Sequence, residues 1–195
     1  MAEVWLTADT HYGHSNICYG VSKWKDKENT RKFDTLEEMN QTIVDNINKH
    51  VKPDDILFHL GDWSFGGIDN IWNFRKQLNV KNIILIPGNH DHHIERNSLI
   101  NCNGIEAQSL FVTLLPQAFK TNHELVLSHY PIESWENAEH GSIMVHGHVH
   151  GKLNDSDINM FYRRIDVGID WEEFRPYHLD EVLELKKRPK LNRHE

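Results

Sequence analysis

The sequence predicts an α/β fold with its chemistry at the carboxyl ends of the strands. Two observations predict it. Short runs of Val, Ile and Leu alternate with segments of helical period, and each run ends on residues suited to holding a metal. No internal repeat, low-complexity tract or Pro/Gly/Ser linker divides the chain. A single domain over residues 1–195 is therefore expected, with a basic, flexible tail at about 188–195.

The elements follow in order. EVWLTADTH reads as a buried strand running into Asp9 and His11. Residues 19–34, YGVSKWKDKENTRKFD, are charged and aperiodic and read as a surface loop near the site mouth. In TLEEMNQTIVDNINKHV, Leu36, Met39, Ile43 and Ile47 recur at helical spacing, and Thr35 with Glu38 fits a capping box. DILFHLGD is a second strand ending at Asp62. A second helix over Gly67–Val80 places Ile68, Ile71, Trp72 and Leu78 on one face. NIILIPGNHD runs into Asn89, His90 and Asp91, and ELVLSHYP into His129. SIMVHGHVH ends the series. Its His146, His148 and His150 alternate, and in an extended chain all three would face one side. INMFYRRIDVGID reads as further strand, and Asp180–Lys187, after Pro176, as a short helix.

Composition narrows the function. A net charge of −8 offers no basic stripe for long nucleic acid, yet a small phosphorylated substrate remains compatible if bound metal supplies positive charge. There are fifteen histidines, and many fall beside Asp, Asn or Gly. Cys18 and Cys102 form no CxxC pair, so thiolate zinc and redox motifs are unsupported and no oxidising compartment is called for. MAEVWLTADT lacks the basic and apolar segments of a secretory leader, and no apolar run reaches membrane-spanning length. A cytoplasmic setting is expected.

Taken singly, a DxH, a GD or a lone His is as readily a turn or cap residue as a ligand. Five such clusters, each ending an apolar run, are not explained that way. The series Asp9-Thr10-His11, Gly61-Asp62, Gly88-Asn89-His90-Asp91, His129 and Gly147-His148-Val149-His150 resembles the calcineurin-like metallophosphoesterase superfamily. Its motifs run D-x-H, G-D, G-N-H-[DE], H and G-H-x-H. The stretches DTHYGHSNI and VKPDDILFHLGD extend the likeness to small bacterial and phage members.

That resemblance implies a four-layer α-β-β-α sandwich with two metals at the strand ends. It implies that Asp9, His11 and His150 hold the first metal, that Asn89, His129 and His148 hold the second, and that Asp62 bridges them. His90 would act as the non-ligand catalytic histidine, oriented by Asp91. Two cations about 3.5–4 Å apart need a shared carboxylate, and the pair brings a water to ionise near neutral pH. Oxygen and nitrogen donors alone suit Mn foremost, or Fe, Zn or Ni.

The remaining candidates divide. His14 is expected to touch substrate or to hydrogen-bond a ligand, with packing within its loop as the equal alternative. His59 and His146 are expected to be structural, His92 and His93 to open an exposed helix, and Trp63 and Phe65 to pack. Asp170 and Trp171 resemble the family's closing strand, with no chemistry assigned. A phosphodiesterase on a small nucleotide-like substrate is favoured. The protein-phosphatase branch continues its GD motif as GDxVDRG, whereas this chain reads GDWSFGG and lacks that arginine. Arg31, Arg75 and Arg96 are the candidates to replace it. The alternatives are a phosphomonoesterase or protein phosphatase, a nuclease, for which the chain is short and acidic, and a non-catalytic scaffold, against which the complete motif set weighs.

Overall fold

The computed structural model describes residues 2–96, 113–114, 118–120, 124–153, 162–171 and 173–190. Two sheets form the centre. The first has the order β4-β3-β2-β1-β9, from β1 (Val4–Thr7), β2 (Ile56–His59), β3 (Asn82–Leu85), β4 (Thr113–Leu114) and β9 (Tyr177–His178). The second has the order β5-β6-β7-β8, from β5 (Ala118–Lys120), β6 (Leu125–Ser128), β7 (Ile143–His146) and β8 (Arg164–Asp166). Strands β1 to β4 are parallel, as are β6 to β8, while the edge strands β9 and β5 run antiparallel.

Alternation along the strands builds the layers. Leu6, Leu60 and Ile86 meet Leu125, Leu127, Ile143 and Val145 in the core between the sheets. Leu57, Ile83 and Leu85 point the other way, onto helices α1 (Leu36–His50) and α2 (Ile68–Gln77). Val126 and Met144, on the outer face of the second sheet, pack on Trp135 and Ala138. This is the expected α/β sandwich of metallophosphoesterase type, and in the described residues its outermost cover over the second sheet is the turn around Trp135–Ala138. No described helix is long and apolar enough to cross a membrane.

Local signals were placed with small shifts. Thr35 caps α1 by accepting from the Glu38 amide at 3.1 Å, but the Glu38 carboxylate returns to the Asp34 amide, one residue earlier than a reciprocal box requires. Helix α2 ends at Gln77 rather than Val80. Helix α3 spans His92–Arg96, with His92 and His93 exposed as expected. Helix α4 (Leu179–Leu183) starts one residue before Asp180 and tightens into a 3-10 turn over Glu184–Lys187. Of INMFYRRIDVGID, strand covers Arg164–Asp166, and 158–161 lie outside the described residues, as do Cys102 and the tail beyond 190.

The extended reading of VHGHVHG is corrected. Strand β7 stops at His146, and His148 and His150 stand at φ 72° and 51°, in left-handed turn backbone. His146 stays buried in the sheet, its Nδ1 donating to the Gly147 carbonyl at 2.9 Å. The other two turn up onto the strand ends, where alternation alone would not have put them.

His59 is buried and hydrogen-bonded, as expected. Thr10 Oγ1 donates to the Trp63 carbonyl at 2.7 Å, so its 2.9 Å contact with His59 Nε2 makes that nitrogen the donor. Burial lowers the His59 pKa from 6.5 to about 3. The folded ring is therefore neutral while the unfolded one takes a proton below pH 6.5, so stability is complete above that value and falls toward pH 3. The slope is roughly 1.4 kcal/mol per pH unit. His59→Gln is expected to flatten the acid side of a melting-temperature profile between pH 7 and 5. An unchanged slope would contradict the neutral assignment.

Candidate metal centre

Five parallel strands deliver polar groups to one edge. The chain just past β1, β2 and β3 carries Asp9, Asp62 and Asn89, and just past β6 and β7 it carries His129 and His148. Past Asp166 the chain crosses from the second sheet to the first: the Val167 amide donates to the His146 carbonyl, the Ala8 amide to the Val167 carbonyl and the Ile169 amide to the Ala8 carbonyl, across the bridge Ala8↔Gly168. The two sheets thus share one upper rim, and Asp170 is carried across it.

The backbone on this rim is unusual for its side chains. Asp9, His11, Asp62, His148 and His150 all have φ between 47° and 72°. Left-handed backbone is uncommon outside glycine, although Asp and His tolerate it better than most, and such residues gather at functional sites. Close approach also demands glycine. A Cβ at Gly88 would lie 2.4 Å from Asp62 Oδ1, and one at Gly147 would lie 2.6 Å from Asp9 Oδ2.

Two groups of donors result. Ligand atoms of Asp9, His11 and His150 lie within 4.8 Å of one another, as do those of Asp62, His129 and His148. Asp62 Oδ2 stands between them, 3.4 Å from His11 Nε2 and 3.6 Å from His129 Nε2. Asn89 Oδ1 joins the second group at 3.0 Å from His129 Nε2, and His148 Nδ1 is 3.2 Å from the same nitrogen. His129 Nδ1 donates to the Leu60 carbonyl at 2.8 Å, so Nε2 carries a lone pair and faces the oxygen lone pairs of Asn89. A cation between them would relieve that opposition.

The electrostatics fit the same tenant. Burial, then the nearby charges of Asp166, Asp62 and Asp170, raises the Asp9 carboxyl well above its ordinary value. Asp9 Oδ1 and His11 Nδ1 are buried without a hydrogen-bond partner. Burial also lowers His11 and His129, leaving neutral imidazoles of the kind that bind metal. The donor sets are therefore suited to two divalent ions.

Asp91 is a correction. It was expected to orient His90, but Oδ2 accepts from the Asp62 and Gly88 amides, each at 2.8 Å, and Oδ1 from the Trp63 amide at 2.9 Å. It is buried and staples the β2 and β3 loops together. Burial pushes its carboxyl up to about 7 despite those three donors. His90 is positioned instead through its own amide, which donates to Asp62 Oδ1 at 2.9 Å. Its half-exposed ring lies 5.4 Å from that of His11.

His14 does face the site, its ring 5.4 Å from His11 and 4.1 Å from Phe65. Burial and the neighbouring His90 lower its pKa to about 4, so it is neutral at pH 7. Trp63 is fully buried in the core, as expected, whereas Phe65 is 40% exposed beside His14 and His90.

Asp170, which had no assigned role, and Arg31, a candidate for the missing phosphate-side arginine, are joined at the rim of the site. Asp170 Oδ2 accepts from His150 Nδ1 at 2.7 Å, which leaves Nε2 free for a metal. Arg31 clamps Asp170 with Nε at 2.6 Å and Nη2 at 2.9 Å, and donates to the carbonyls of Asp9 and Thr10. Burial would raise the Asp170 carboxyl, but Arg31 and His150 hold it well below its ordinary value. Residue 31 was read as part of a surface loop, yet Arg31 is only 4% exposed. Asp170→Asn is expected to weaken metal binding roughly 10–100-fold. It also strands a buried guanidinium, costing about 3–5 kcal/mol. Metal titration calorimetry and thermal melts would check both, and unchanged affinity would remove Asp170 from the site.

Such a rim, on such a sandwich, offers two candidate metal sites of the kind a phosphoester hydrolase uses. The family model of the calcineurin-like phosphoesterases matches residues 2–189, and the chain belongs to that family. It is a metal-dependent phosphoesterase. An uncharacterized protein of Methanocaldococcus jannaschii is 29% identical over 197 residues, covering 99% of this chain and 96% of that protein. The gene 66 protein of Mycobacterium phage D29 is 27% identical over 207 residues, covering 95% and 96%. The crystal structure of a protein of unknown function from Aquifex aeolicus shares the fold at a TM-score of 0.67 and 22% identity, covering 95% of this chain and 100% of that one.

Proposed function

We propose that the protein is a phosphodiesterase acting on a small nucleotide-like substrate, with Mn the foremost candidate metal. Asp9, His11 and His150 would hold one ion, Asn89, His129 and His148 the other, and Asp62 both. The observation that carries this reading is Asp62 Oδ2, which has one imidazole nitrogen of each group within 3.6 Å. The ions, when bound, supply an acidified water and positive charge for the phosphoryl oxygens.

The chain's own residues do the rest. His148 and His90 are locked to the ligand carboxylates through their amides, at 2.8 Å to Asp9 and 2.9 Å to Asp62. His90 gives a proton to the leaving oxygen as its bond to phosphorus breaks, while water oxygen becomes bonded to phosphorus. His14, neutral and held against Phe65, contacts the substrate.

Charge favours the diester. The cavity over the site, about 390 Å³, is lined by His11, His14, Asn89, His90, His148 and His150, with no Lys or Arg among its described lining residues. Arg31 is engaged with Asp170, and Arg75 bonds the Leu78 and Lys81 carbonyls at the far end of α2. The side chain of Arg96 lies outside the described residues. A monoester dianion would want more positive charge than this cavity offers. The test is turnover of a chromogenic phosphodiester against its monoester counterpart with Mn²⁺. A higher kcat/KM for the diester supports the reading, and a monoester preference would replace it with a phosphomonoesterase.

A further inference from the structure

The loop between the first strand and α1 carries more than Arg31. Five basic residues face two acidic ones between Lys23 and Lys32, in a chain of net charge −8. The loop is pinned, since the Arg31 backbone amide donates to the Ile17 carbonyl at 2.7 Å and the Lys23 backbone amide to Asn16 Oδ1 at 3.1 Å. Trp24 on this loop is 44% exposed. It opens onto a second cavity, about 570 Å³, which shares Ile17, Trp24 and His150 with the cavity over the metal centre. That volume lies within the roughly 300–1,000 Å³ of small-ligand sites.

The lining of this cavity adds cationic groups that its neighbour lacks, alongside the paired Arg31 and Asp170. Lys32 and Lys152 stand on its walls, and no ion pair with a carboxylate is found for either among the described residues. Asn29 and Thr30 add neutral hydrogen-bonding groups, and Trp24 offers an exposed ring. The Lys32 ammonium is kept at the surface, 4.6 Å over the Tyr19 ring. Exposed aromatic rings beside lysines are the surface on which nucleotides stack and rest their phosphates. The exposed large apolar side chains among the described residues are Tyr19, Val21, Trp24, Phe65 and Trp171. Of these, Trp24 lines both cavities and Phe65 the one over the metal centre.

We infer that this cavity seats the part of the substrate beyond the scissile bond: a nucleotide whose base stacks on Trp24 and whose second phosphate rests on Lys152 and Lys32. The inference rests on the phosphodiesterase reading and deepens it. The cavity over the metal centre takes the phosphodiester that is cut, and the basic cavity beside it distinguishes nucleotides that carry a further phosphate.

The test uses the Mn²⁺-loaded protein and three substrates: methyl p-nitrophenyl phosphate, a thymidine dinucleotide, and the same dinucleotide with a terminal phosphate. The wild type is expected to favour the phosphorylated dinucleotide. Lys152→Glu should abolish that preference, raising KM for this substrate about tenfold, while turnover of methyl p-nitrophenyl phosphate is retained. Trp24→Ala should weaken both dinucleotides about tenfold, with recovery in Trp24→Phe. A preference that survives Lys152→Glu, or parallel losses on all three substrates, would overturn the inference and leave the phosphodiesterase reading standing. No turnover of any diester by the wild type would remove that reading, and the inference with it.

Discussion

Asp62→Asn is expected to weaken both metals together and to lower kcat/KM by more than about 100-fold. The reason is its central position. Asp62 Oδ2 is 3.4 Å from His11 Nε2 and 3.6 Å from His129 Nε2, while Oδ1 accepts the His90 amide. The amide side chain keeps the shape but removes the negative charge that offsets repulsion between two dications. Losing a group that merely orients a metal ligand already costs roughly 10–100-fold, so the loss of a shared ligand should cost more. Titration of metal into stripped protein reads this directly. Two equivalents bound with unchanged affinity would show that Asp62 does not bridge.

The second large effect separates chemistry from metal binding. His90→Ala should keep both metals and lose about 10²–10⁴-fold in kcat, the usual contribution of a general acid. The ring of His90 is outside both donor groups, and its hydrogen bond to a candidate ligand is made by the backbone amide. That amide survives the substitution, so the Asp62 carboxylate should stay in place. Full turnover in His90→Ala would take the ring out of the mechanism. Loss of metal would make it a ligand instead.

How the sequence foreshadowed this site depends on the range of the interaction. Strands such as DILFHLGD announce themselves locally, by β-rich runs ending in polar residues, and parallel pairing then brings their ends together. Asp9, His11, Asp62, Asn89, His129, His148 and His150 all reach one rim for that reason. Arg31 and Asp170 carry no such signal. They are 139 positions apart, and one sits in an aperiodic charged stretch that composition alone marks as surface. A cue existed in the recurring pattern: β8 also ends in an acidic residue, Asp166, followed by Gly168 and Asp170. Asp166 braces the rim by accepting the Gly151 and Gly168 amides, each at 2.8 Å.

Asp91 shows the complementary difficulty. A carboxylate beside a catalytic histidine reads naturally as its partner, and nothing in residue order distinguishes an imidazole from three backbone amides. Alternation put the histidines at 148 and 150 on one side of an extended strand, a geometry that does not hold. Left-handed turns, at φ 72° and 51°, separate them instead.

The central claim is that two metals, sharing Asp62, make this chain a phosphoesterase. The most direct test is to strip the protein of metal, add back Mn²⁺ in measured equivalents, and follow hydrolysis of a chromogenic phosphodiester. Little turnover is expected in stripped protein, with activity rising to its plateau as the second equivalent binds. Full activity in metal-free protein, or two tightly bound equivalents with no turnover of any phosphoester, would contradict that claim.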